Sequence, residues 1–150
     1  MTQPDVSVER LTEFSEADAA GIGRLRPFLD EALSGDPVRE DLLRKIIDSP
    51  ERAQLVARLD GVIVGTATMN LLAGALSGQK GDLKDFVTDP EVQGRGIGDK
   101  VWQAMLDWTK EQQGKSLTFT SRTSRGKAHR FYEKHGAEVR DTTVFHVALK

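Results

Sequence analysis

The chain has 150 residues, 38% hydrophobic and 29% charged, with a formal net charge of −2 and a pI near 5.9, which fits one soluble globular domain spanning residues 1–150. It has no cysteine, so disulfides, thiolate metal sites and a cysteine nucleophile are excluded, and its mild acidity leaves no footprint for nucleic acid. No run approaches the ~18 apolar residues of a membrane span, and Met1 to Asp5 lack the basic and apolar regions of a signal peptide, so the expected location is cytoplasmic.

In chain order, Val6, Val8 and Leu11 suggest a short first strand, and Ser15 or Asp18 can cap the helix that follows. Ile22, Leu25, Leu29 and Leu33 recur there at helical spacing until Ser34-Gly35-Asp36-Pro37. A second helix is expected from Val38 to Asp48, with Leu42, Leu43, Ile46 and Ile47 on one face, before Ser49-Pro50 stops it. Gln54 to Leu59 and Val62 to Leu72 are rich in Val, Leu, Ile and Thr and flank Asp60-Gly61, a strong hairpin signal. Ala73 to Gly81, with three glycines, reads as a loop into a central strand.

The stretch from Asp82 to Trp108 organises the rest. A short apolar run, Leu83 to Val87, leads through a turn with Gly94, Gly96 and Gly98 into a helix whose Ile97, Val101, Met105, Trp102 and Leu106 share one side. Backbone amides in such a turn, at the positive end of a helix, suit an anion such as phosphate. The Walker pattern does not fit, because Gly94 and Gly98 are too close and Asp99 follows. A dinucleotide motif fits poorly, since Asp89 to Gln93 intervene after the strand and Asp99 replaces the third glycine. A glycine turn that binds nothing is the bland alternative. After this helix, Leu117 to Thr120 reads as a fifth strand, parallel to the central one. A helix with Ala128, Phe131, Tyr132 and His135 on one face follows, and Val139 and Val144 to Leu149 suggest one or two last strands.

Gln93-Gly94-Arg95-Gly96-Ile97-Gly98, after Val87-Thr88-Asp89-Pro90, resembles the acetyl-CoA loop of the GNAT superfamily of N-acetyltransferases. A second stretch, Arg125 to Gly136 with Ala128, Phe131 and Tyr132, is similar to the family's closing helix. The resemblance runs from Leu55 onward. Two departures stand out: Ala137 where the family usually has Phe, and Arg125 or Ser124 where many members have Asn. The resemblance implies an α/β (α+β) GNAT fold with a mixed, mostly antiparallel central sheet of six to seven strands, about four helices, and parallel, splayed fourth and fifth strands.

It also implies a function: transfer of an acetyl group from acetyl-CoA to a primary amine, foremost of a small molecule, by direct attack in a ternary complex without a metal. The alternatives are a protein lysine or N-terminal acceptor, or a non-catalytic acyl-CoA sensor. Phe86, Val87 and Thr88 would meet the pantetheine arm. Gln93, Gly94, Arg95, Gly96, Ile97, Gly98 and Asp99 would face the pyrophosphate, and Arg125 and Lys127, with Arg122 and Arg130, the ribose phosphate. Tyr132 takes the role of acid toward the leaving thiolate, its bland alternative being a core tyrosine. Asp85 is the favoured base because a regular strand puts it on one face with Leu83 and Val87, and Asp82 replaces it if a bulge shifts the register. Analogy with similar proteins suggests a homodimer, and no membrane or nucleic-acid partner is expected.

Overall fold

The computed structural model describes residues 5–92 and 94–150. It forms two compact units, one running up to Phe119 and one made of Thr120–Lys150.

In the first unit, strand β1 (Ser7–Arg10) leads to helix α1 (Glu16–Leu29), capped by Ser15, whose side chain accepts from the Asp18 amide at 3.1 Å. This helix stops before Leu33. Asp30 turns extended and its carboxylate accepts from the Ala32 amide (3.0 Å), so the backbone leaves the helical path and Leu33 ends 41% exposed. Helix α2 (Glu40–Ile47) buries Leu43, Ile46 and Ile47, while Leu42 turns outward.

Strands β2 (Arg52–Leu59) and β3 (Val62–Gly74) form the expected hairpin, with Asp60 and Gly61 both at positive φ (51° and 79°) as a primed turn requires. Strand β4 (Gly78–Thr88) begins earlier than expected, since Gly74 already pairs with Gly78 and Leu71 with Gly81. The glycine at 81 serves packing instead of a loop. Helix α3 (Ile97–Glu111) crosses so close there that a Cβ on Gly81 would lie 2.6 Å from Thr109 Oγ1. Strand β5 (Leu117–Thr118) is shorter than expected and pairs parallel with β4, Gly81 with Leu117 and Asp82 with Thr118.

The sheet order is β1-β2-β3-β4-β5, antiparallel except for the last pair. Leu11, Ala19, Ile22, Leu25, Leu43 and Ile47 pack with Val56, Ile63 and Val87 on one face of the sheet. Ile97 seats on the other, where a Cβ on Gly65 would be 3.0 Å from its Cγ2. Helices α1 and α2 therefore cover one side and α3 the opposite one.

The second unit holds helix α4 (Gly126–Lys134), closed by a Schellman-type turn in which the Gly136 amide (φ 90°) donates to Glu133 O and the Ala137 amide to Tyr132 O. The sheet has five strands among the described residues, so the expectation of six to seven is corrected. Val139 and Val144 to Leu149 form no strand; Val139, Val144, Phe145, Val147 and Leu149 are all exposed. Alternating apolar residues favour a strand only where a ladder and a covering layer reward it. Among the described residues, no helix is long and apolar enough to cross a membrane.

Candidate functional site

The decisive local feature is a bulge in β4. Thr68 pairs with Lys84 but Thr66 pairs with Val87, so β4 carries an extra residue at Asp85 and Phe86, and Asp85 takes a positive φ of 52°. The expectation for Asp85 fails on this point. Leu83 lies opposite Met69 and Val87 opposite Thr66, partners on opposite faces of β3, so Leu83 and Val87 no longer share a face with one another and Asp85 is an exposed bulge residue.

Asp82 stands before the bulge in a different setting. It is 9% exposed and faces Asn70 across the ladder. The Asn70 side-chain oxygen accepts from Arg52 Nε at 2.9 Å, which leaves the amide nitrogen to donate to Asp82. Burial pushes the Asp82 carboxyl above the usual carboxylate range, against the opposing pull of Lys84 (Nζ 3.9 Å from Oδ1), the Asn70 bond and Lys80. Further along this face, Gln54 bridges β3: it donates to Thr66 Oγ1 and accepts from Thr68 Oγ1, both at 2.7 Å. Arg52, Asn70 and the Gln54 bridge were missed by sequence reasoning. Each looks unremarkable until the register aligns three strands.

Beyond Asp82, β4 parts from β5. The parallel ladder ends at Asp82 and Thr118, while β4 runs on through Phe86, Val87 and Thr88. Asp89 and Pro90 then turn the chain. Gly94 and Gly96 hold left-handed φ values of 80° and 68°, where a side chain would be strained, and Gly96 opens α3 with no described side chain capping it. The first-turn amides of Ile97, Gly98 and Asp99 thus head a helix of 15 residues. Arg95 is exposed beside them, and Gln93 lies outside the described residues.

The second unit gathers the other candidates. Tyr132 and Phe131 meet edge to face with ring centroids 5.9 Å apart, and Phe131 stacks on His135 at 4.2 Å. The His135 ring donates from Nδ1 to Phe131 O at 2.8 Å, which holds that ring in place. Burial pushes the Tyr132 phenol above its ordinary value, partly offset by Arg125, so it stays protonated at neutral pH. Arg125 precedes the first turn of α4 and Lys127 lies within it, exposed. Among the described residues, no group of three or more His, Cys, Asp or Glu side chains can hold a metal ion.

The family model described as acetyltransferase (GNAT) family matches residues 22–137. An aminoglycoside N(6′)-acetyltransferase type 1 from Stenotrophomonas maltophilia is 27% identical over 147 residues, covering 93% of this chain and 92% of that protein. Among solved structures, an aminoglycoside acetyltransferase from an uncultured soil metagenomic sample, in complex with sisomicin, superposes with a TM-score of 0.83 at 22% identity, over 97% of both chains. Aminoglycoside N-acetyltransferase AAC(6′)-Iy in complex with CoA does so with a TM-score of 0.80 at 15% identity, over 98% of this chain and 97% of the other.

Proposed function

The chain belongs to the acetyltransferase (GNAT) family, and on that premise we propose that it moves the acetyl group of acetyl-CoA onto a primary amine of a small molecule, with aminoglycoside-like amino sugars the first acceptors to try. The observation that carries this reading is the end of β4. The strand leaves β5 at Asp82, bulges, runs on to Thr88 and opens through two left-handed glycines onto the start of α3. An extended strand edge suits the amide-bearing pantetheine arm, taken by Phe86, Val87 and Thr88. The positive end of a helix that a glycine turn leads into suits a pyrophosphate, taken by the stretch from Gln93 to Asp99. Arg125 and Lys127 take the ribose phosphate. Residues 1–150 are proposed to act as a single acetyltransferase domain, without metal or nucleic acid, and as a homodimer.

Transfer needs a neutral amine, and deprotonating a lysine-like amine at pH 7.4 costs about 4 kcal/mol. Asp82 takes that proton, directly or through a water, and Asp85 is the second candidate. The raised pKa of Asp82 makes it a stronger base than a solvated carboxylate. The amine nitrogen then attacks the thioester carbon, the carbon–sulfur bond breaks, and Tyr132 donates its phenolic proton to the leaving sulfur. The proton released from the new amide nitrogen returns to the phenolate through solvent and Asp82 gives the proton it took to bulk water, which leaves the acetamide, free coenzyme thiol and one released proton.

A thiol-release assay with acetyl-CoA and a panel of aminoglycosides, polyamines, amino acids and peptides tests this function. Since the chain has no cysteine, any thiol that forms is the coenzyme's. Release is expected with amino sugars; release with peptides alone would move the acceptor to proteins, and acetyl-CoA binding without any release would leave a sensor.

A further inference from the structure

Asp89 follows the last residue of β4 and is 5% exposed, an unusual place for a carboxylate. Its two oxygens divide their partners. Oδ1 accepts from the Glu91 amide at 2.9 Å, and Oδ2 meets Arg24 Nη1 at 3.0 Å. The Asp89 backbone is held as well, since its amide donates to Val64 O (2.8 Å) and its carbonyl accepts from the Val92 amide (3.2 Å). Arg24 in turn donates from Nη2 to Ile63 O at 2.8 Å. Ile63, Val64 and Gly65 of β3 therefore hold Arg24 of α1, the end of β4 and, through Ile97 against Gly65, the start of α3.

We propose that Arg24 and Asp89 are positioning residues for coenzyme binding. Asp89 fixes the first turn of the loop that runs to Gly96, and Arg24 ties that turn to α1 while neutralising the buried negative charge that opens the loop. Without Arg24 the carboxylate would be buried with no counter-charge, its remaining bond being the one from the Glu91 amide. Without the Glu91 bond the loop would enter its left-handed glycines from an unfixed turn. This inference rests on the coenzyme reading above and adds two residues, 65 positions apart, that the glycine motif does not contain.

Calorimetric titration of acetyl-CoA into the wild type and four variants tests it, each variant first verified as folded by circular dichroism. Asp89→Ala, which loses both bonds, is expected to raise Kd about tenfold or more, and Arg24→Met about tenfold. Asp89→Asn keeps an oxygen for the Glu91 amide and is expected to cost less than about threefold, as is the double variant Arg24→Met/Asp89→Asn, which removes charge and partner together. In kinetics the rise falls on KM for acetyl-CoA and spares that for the acceptor. Wild-type Kd in all four variants, with only thermal stability lowered, overturns the proposal and leaves a structural ion pair. A wild type that does not bind acetyl-CoA overturns the coenzyme reading and this inference together, and its titration comes first. If Asp89→Ala does not fold, Arg24→Met and its recovery in the double variant decide the matter.

Discussion

The β2–β3 hairpin and the stretch from Val139 to Leu149 have similar sequence character and opposite fates. Both are rich in β-branched and apolar residues, but only the hairpin forms strands, and its Ala53, Val56 and Ala67 are fully buried where Val139 and Leu149 are 88% and 94% exposed. The hairpin has its own partner two residues away, across Asp60 and Gly61, and helices on both faces. The C-terminal stretch has neither among the described residues of its unit. Strand propensity is a preference for a half-buried pleated surface, and it is realised only where that surface exists. The same contrast separates the two compact units: the first carries every buried side chain, the second a half-buried tyrosine and a row of cations.

Substitutions that strike one side of this contrast should have graded effects. Leu25→Ala, at a fully buried position in the α1 core, is expected to cost about 2–5 kcal/mol in urea unfolding, through lost burial and the cavity left behind. Gly81→Val should cost about 1–3 kcal/mol, since Thr109 Oγ1, already bonded to Met105 O at 2.8 Å, blocks the new side chain. Asp82→Asn should act with the opposite sign. The folded chain holds the Asp82 proton more tightly than the unfolded chain does, so its burial penalty is absent below the ordinary carboxylate pKa and grows as pH rises through the raised value. The amide variant is therefore expected to be slightly more stable at pH 7, by less than about 1 kcal/mol. It should also lose the acid limb of the pH profile of kcat/KM, and a limb unchanged by the variant would pass the base role to Asp85. Phe145→Ser, on the exposed stretch, should shift stability by no more than about 0.5 kcal/mol; a larger loss would mean that the stretch is covered in solution.

How much of this was legible in the sequence depended on how local each determinant is. The Ser15 cap, the Asp60-Gly61 turn and the glycine-led start of α3 were readable, because residues within a few positions decide them. The β4 bulge was not, since Asp85 is no glycine and its φ of 52° is set by pairing with β3. The chain from Arg52 through Asn70 to Asp82 needed three strands in register, and the bond from Arg24 to Asp89 needed the packed helix. A regular strand would favour Asp85 and a bulge Asp82, and β4 bulges at Asp85 and Phe86.

The most direct measurement compares Tyr132→Phe with the wild type in two numbers, the Kd for acetyl-CoA and kcat with an accepted amine. An unchanged Kd with kcat lowered about a hundredfold is the predicted result, because only the proton offered to the leaving sulfur is lost. An unchanged kcat would contradict the role of Tyr132, and an absence of acceptor-dependent turnover in a wild type that binds acetyl-CoA would contradict the enzyme itself.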